Sequence, residues 1–308
     1  MSLLDEYPFA VCLTHDVDRP YKTYQSLYYA VMDREPRHLL DVLPWREPYW
    51  QFERIMHIES ELDVRSAFYF LNEQHLTERP FRSWLDPEAW KLYLGRYDIE
   101  SPDISGIIRR LDERGWEVGV HGSYESYLYE DRLRYEKRAL ESVLGHEVLG
   151  GRQHYLNLER PETWQRQAAA GLRYDASLGS SASFGFEHGY EPLRPFDDDF
   201  TVFPLTLMEL TLTSPATHPE RAWAECEQLL TEAKENDAVM TVLWHPSYFS
   251  ERDYPNFGSI YERLIREALE MGAWVGPPGE LYASFEYADA EWPTERAIAD
   301  STPKPHTH

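Results

Sequence analysis

The most constraining feature of this 308-residue chain is a rhythm. Short apolar runs of strand length alternate with helical patterns, and many of the runs end on ionisable side chains. Phe9–Leu13 opens the series and gives way to His15, Asp16 and Asp18, predicting a first strand over roughly 8–15. Ser66–Leu71, Trp116–Val120, Val148–Gly151, Leu172–Asp175, part of Thr201–Leu212, Ala238–Trp244 and Ala273–Val275 read as further strands. Helical spacing of apolar residues falls between them at 49–62, 103–114, 126–144, 163–170, 219–236 and 258–271, with Gly115 and Gly171 as stops. Repeated strand–helix alternation implies a parallel sheet with crossover helices. With neither a composition break nor an internal repeat, the expected fold is α/β. It is a single distorted (β/α)7-type barrel with parallel strands and long loop insertions over 1–287, followed by a polar C-terminal tail at 288–308. An open doubly wound sheet is the alternative, but no G-x-G-x-x-G follows a strand. Two stretches read as insertions, a Tyr- and Pro-rich segment at 20–48 and a Trp- and Pro-rich one at 72–102. The first leaves the strand end that carries the acids, where long loops are commonly functional.

Composition narrows the function. A hydrophobic content of 42% supplies a sizeable core, while 54 acidic against 30 basic residues give a net charge of -24. Such a chain repels nucleic acid and anionic membranes, so neither is expected as a partner. The acidity reads as an ordinary acidic surface or as adaptation to a high-salt cytosol. The two cysteines, Cys12 and Cys226, suggest neither a disulfide framework nor a thiolate metal site. The N-terminus has no apolar core of a signal peptide, and no run approaches about 18 apolar residues. The expectation is a soluble, cytoplasmic protein.

Chemistry gathers where strands end. Asp16, Asp18, His121, Arg152, His154, Asp175, Glu209 and His245 all stand at or just beyond apolar runs. In a barrel of parallel strands, those ends form the active-site face. Residues two apart share a face of a strand, so Asp16 and Asp18 point one way together, as do Arg152 and His154. Paired carboxylates repel, and at neutral pH they seek a cation or share a proton. Imidazoles from neighbouring strands plus a carboxylate make a three-ligand site with an open position, the arrangement of a catalytic divalent metal. Glu125, four residues after His121, would share a helical face with it, although Gly122 and Ser123 read as loop. Asp197–Asp199 reads as a solvated loop.

Taken in order, Thr14-His15-Asp16-Val17-Asp18, His121-Gly122-Ser123-Tyr124, Arg152-Gln153-His154-Tyr155, Tyr174-Asp175-Ala176-Ser177-Leu178-Gly179 and Leu243-Trp244-His245-Pro246 resemble the polysaccharide deacetylase (NodB-homology) family over about 9–285. The resemblance implies a distorted barrel that removes acetyl groups from N- or O-acetylated sugars or polysaccharides with one divalent metal ion, often zinc. It casts Asp16 as catalytic base, Asp18 as the metal-binding acid and His121 as the first metal histidine. It casts Arg152 as the group that orients the base, the Tyr155 backbone N–H as an oxyanion donor, and His245 as general acid tuned by Asp175. The sequence departs from the family pattern in three places. Val17 separates the two aspartates, Glu125 stands where a second histidine is usual, and His154 stands where proline is usual. Glu125 or His154 therefore supplies the remaining metal ligand, with His154 preferred because it should face inward beside Arg152. Two other readings remain at this stage, a metal-dependent C–N hydrolase acting on a small amide, and a non-catalytic carbohydrate-binding barrel.

Overall fold

The computed structural model describes residues 3–22, 47–75, 85, 90, 92, 95–197 and 199–285. Most of both insertions, Asp198 and the tail lie outside the described residues.

The strands are β1 (Ala10–Val17), β2 (Ala67–Leu71), β3 (Glu117–Gly122), β4 (Gly150–Gln153), β5 (Tyr174–Asp175), β6 (Thr201–Val202), β7 (Leu205–Met208), β8 (Val239–Leu243) and β9 (Trp274–Gly276). They form one sheet in the order β6-β5-β4-β3-β2-β1-β8-β7, with β9 added to β1, and the ladders between them are parallel. Helices Phe52–Glu61, Pro102–Glu113, Glu130–Leu144, Glu162–Ala169, Pro219–Glu235 and Phe257–Glu270 lie in the connections. The result is a curled parallel sheet, the distorted barrel expected from the alternation. Its two end strands, β6 and β7, are consecutive pieces of one extended segment broken at Phe203–Pro204. Proline has no N–H to give a ladder. Here the chain leaves β5 and joins β8, so the curl closes through the backbone itself.

β1 is the hub. One edge pairs with β8 from Ala10 to Thr14. The other is shared by β9 along Ala10–Cys12 and β2 along Thr14–Val17. The two-residue period then sorts its side chains. Phe9, Val11, Leu13 and Val17 join the large core beneath the helices, whereas Ala10 and Cys12 join the smaller cluster with Ala67, Tyr69, Tyr174, Phe203 and Trp274. By the same alternation Thr14 and Asp16 continue the inner row upward, and His15 turns to the helix layer. There His15 meets Glu59 and Tyr261.

Several boundaries differ from the sequence reading. β3 runs two residues past Val120, so His121 sits inside the ladder opposite Arg152. Small residues permit this: a Cβ on Gly119 would fall 2.6 Å from the Tyr69 ring. The expected helix from 126 begins at Glu130, after a 3-10 turn at Ser126–Leu128. Buried carboxylates hold the intervening amides instead: Glu136 accepts the Ser123 N–H and Glu73 accepts the Tyr124 N–H, both at 3.0 Å. The strand expected within Thr201–Leu212 stops at Met208, and Glu209 opens a 3-10 turn. No helix among the described residues is long and apolar enough to cross a membrane.

Candidate metal centre

The carboxyl ends of β1, β3, β4, β7 and β8 converge on a cavity of about 520 Å³ whose lining includes Asp16, Asp18, His121, His154, Tyr155 and His245. Behind Asp16, and outside the lining itself, lies Arg152. This side chain is fully buried, and its guanidinium lies 5.2 Å above the centre of the Tyr69 ring. Nη1 donates to Asp16 Oδ1 at 2.8 Å and to Thr14 Oγ1 at 2.9 Å, while Nε donates to the Ala176 carbonyl at 2.7 Å. Asp16 is thus fixed on one side by a permanent cation. Its other oxygen, Oδ2, lies 3.9 Å from His121 Nε2.

Asp18 follows the end of β1 and faces three imidazoles. Its Oδ1 is 2.9 Å from His121 Nε2 and 3.5 Å from His154 Nε2; its Oδ2 is 3.6 Å from His245 Nε2. Burial opposes the Asp18 charge, but His154, His121 and His245 outweigh it and hold the carboxyl far below the usual range. Among the described residues, Asp18, His121 and His154 bring one ligand atom each within 4.8 Å of one another. Donors about 2.0–2.2 Å from a tetrahedral zinc are about 3.3–3.6 Å apart, so this set is close to the required size. His121 Nδ1 faces the Arg152 carbonyl at 2.9 Å. A carbonyl only accepts, so Nδ1 carries a proton and Nε2 is the nitrogen left to ligate a metal. Burial works against a charge on His121, yet Asp16 and Asp18 raise its pKa. His154 behaves oppositely: burial dominates and its pKa falls to about 4, leaving the neutral imidazole a metal needs.

His154 opens a 3-10 turn directly after β4. Tyr155 and Leu156 both adopt left-handed backbone, φ 58° and 56°. Bulky residues rarely do so, and such strain concentrates at functional sites. The reversal keeps the His154 ring inside and leaves Tyr155 58% exposed at the cavity wall, the two ring centres 4.4 Å apart.

Two sequence assignments need correction. Glu125 is not part of the ligand cluster, because the chain after Gly122 is turn rather than helix and the four-residue spacing never becomes a shared face. Asp175 does not contact His245. It is fully buried, and its oxygens accept Trp164 Nε1–H, Gln167 Nε2–H and both the N–H and hydroxyl of Ser177. Ser177 Oγ then accepts the Gln153 N–H at 2.8 Å, so Asp175 braces the end of β4 from behind. The carboxylate at His245 is Glu209, with Oε1 2.7 Å from Nδ1. Burial lowers the His245 pKa, but Glu209, aided by Asp18 and Asp16, overrides it and pushes the value up to about 10. The signal for Glu209 was its place at the end of a strand; nothing local paired it with His245.

No family model and no curated protein matches this sequence. Solved structures do. A protein from Mycobacterium smegmatis described as a polysaccharide deacetylase superposes with a TM-score of 0.61 at 17% identity, covering 100% of this chain and 96% of its own. The PuuE allantoinase gives 0.61 at 12% identity, covering 92% of each chain. A GH57 branching enzyme from Thermococcus kodakaraensis gives 0.55 at 13% identity, over 93% of this chain and 72% of that one. At such identities the likeness is one of fold, and the fold is that of the polysaccharide deacetylase and allantoinase structures.

Proposed function

We propose that the chain is a divergent polysaccharide deacetylase, a metal-dependent hydrolase that removes acetyl groups from an N- or O-acetylated carbohydrate. The observation that carries this reading is the Asp18–His121–His154 cluster standing between two prepared acid–base pairs, Asp16–Arg152 and Glu209–His245. Sugar binding alone does not call for that combination.

Asp18, His121 and His154 would hold a divalent ion, and zinc would suit their two-nitrogen, one-oxygen donor set. When bound, such an ion acts as a Lewis acid on a carbonyl and lowers the pKa of water toward about 7. Asp16, held and oriented by Arg152, accepts the proton of the attacking water. His245 is protonated at neutral pH because Glu209 stabilises its charge, and it donates to the departing amine or alkoxide. Tyr155 presents its backbone N–H to the carbonyl oxygen as that oxygen gains charge. The exposed Tyr155 ring is a flat apolar surface suited to the face of a sugar.

A second reading, a C–N hydrolase acting on a small amide, is favoured by the equal likeness to the allantoinase. Acetate release from acetylated sugars, assayed beside hydrolysis of small cyclic and linear amides, separates the two. Asp16→Asn should keep its metal and lose turnover by on the order of 10²- to 10⁴-fold. Wild-type protein that takes up no divalent ion would overturn both readings at once.

A further inference from the structure

Glu73 belongs to no motif of the sequence, yet it stands behind the metal cluster. It lies two residues beyond the end of β2 and is 2% exposed. Its Oε1 accepts the Gln74 N–H at 2.8 Å and its Oε2 accepts the Tyr124 N–H at 3.0 Å. The same Oε2 is 4.0 Å from His154 Nδ1. That nitrogen is buried and has no hydrogen-bond partner among the described residues, while the opposite nitrogen of the ring faces Asp18. The imidazole of His154 therefore spans two carboxylates, one on the ligand side and one behind.

The need for such a group follows from how the two histidines are held. A metal-binding imidazole keeps its proton on the other nitrogen and donates it to a carboxylate, a carbonyl or water, which fixes tautomer and ring direction. His121 lies within a strand and has the Arg152 carbonyl at 2.9 Å for this purpose. His154 has left the ladder for a turn whose next two residues are left-handed, and among the described residues no carbonyl serves its Nδ1. The described carboxylate that faces this nitrogen is Glu73. Through Tyr124 it also ties the loop after His121 to the same point, and the Tyr124 ring packs edge-on against Tyr155 with centres 5.7 Å apart.

We propose that Glu73 is a positioning residue of the metal centre, accepting the Nδ1 proton of His154 so that Nε2 is aimed at the ion. The proposal rests on the reading of Asp18, His121 and His154 as the metal set. Closing the 4.0 Å separation by about 1 Å would give a hydrogen bond of ordinary length.

The experiment titrates metal-free protein with Zn²⁺ and with Co²⁺, using a competing chromophoric chelator, in wild type, Glu73→Gln, His154→Ala and the double variant. Glu73→Gln should bind both ions about 10- to 100-fold more weakly. It should shift the visible bands of bound Co²⁺. Because the amide nitrogen replaces an oxygen that accepts the Gln74 or Tyr124 N–H, the metal-free melting temperature should fall by the same amount in the wild-type and His154→Ala backgrounds. In the His154→Ala background, Glu73→Gln should cost no further affinity, because its effect on the metal travels through that ring. Wild-type affinity in Glu73→Gln, or an equal loss of affinity in both backgrounds, overturns the proposal and leaves Glu73 as a loop anchor. Undiminished affinity in His154→Ala overturns the metal set instead, so the two failures are distinct. Should the amide variant not fold, Glu73→Asp, which keeps the charge but shortens the reach, is titrated in its place with the same expectations.

Discussion

Glu209 Oε1 lies 2.7 Å from His245 Nδ1, and Glu209 Oε2 accepts the backbone N–H of the same histidine at 3.4 Å. One carboxylate thus sets both the charge and the direction of the ring. Glu209→Gln removes the charge and lets the His245 pKa fall from about 10. A general acid works only while protonated, so the alkaline limb of the kcat profile should move to lower pH. At neutral pH the rate should drop on the order of tenfold to a hundredfold. An unchanged alkaline limb would separate Glu209 from catalysis.

Arg152 predicts a stability effect. It is the cation beside buried Asp16, with no exposure of its own. Arg152→Met leaves Asp16 without its counter-charge, and breaking a buried pair in this way costs about 3–5 kcal/mol. Urea denaturation should show that loss, and Arg152→Lys should recover only part of it, since a lysine cannot reach Asp16, Thr14 and Ala176 together.

On the opposite face of β1, Glu59 accepts Ser66 Oγ–H at 2.9 Å, Trp116 Nε1–H at 2.6 Å and Tyr261 O–H at 2.7 Å, and it lies 3.0 Å from His15 Nε2. Glu59→Ala strands the buried donors of Ser66, Trp116 and Tyr261, at about 1–3 kcal/mol for each left unsatisfied. The melting temperature should fall steeply. Metal stoichiometry in whatever remains folded should not change, because the sheet separates this cluster from the ligands.

Glu117, at the other end of β3, gives a pH dependence. Burial pushes its carboxyl up to about 7, against hydrogen bonds from Tyr174 and Gly279 that pull it down. The unfolded value is about 4.3, so between about pH 4 and 7 the native state binds the extra proton. The stability it contributes is complete below that window and is lost as pH rises through 7. Glu117→Gln mimics the protonated acid and should flatten this decline in denaturation curves taken at about pH 5 and 8. Glu136, raised to about 7 by burial as well, will leave a residual slope.

Much of this architecture was legible in the order of residues. Alternating apolar runs and helical patterns announce a parallel sheet with crossovers, because only local periodicity is needed to read them. The two-residue period of β1 likewise sends Asp16 inward with Thr14 and His15 outward to Glu59. Strand ends bearing Asp16, Asp18, His121, Arg152, His154 and His245 could be named for the same reason.

Neighbour relations could not. Glu209 meets His245 because β7 pairs with β8, with Met208 opposite Leu243, whereas Asp175 ends β5, which pairs with β4 and β6. Sheet order is a long-range property that no spacing in the chain encodes. His154 was preferred to Glu125 from its place beside Arg152, but what keeps Glu125 away is set in three dimensions, by the buried carboxylates Glu73 and Glu136 that hold the Ser123 and Tyr124 amides out of a helix. Local periodicity can place a side chain on a face of its strand. Which other side chain it meets there depends on strands brought together from distant parts of the chain.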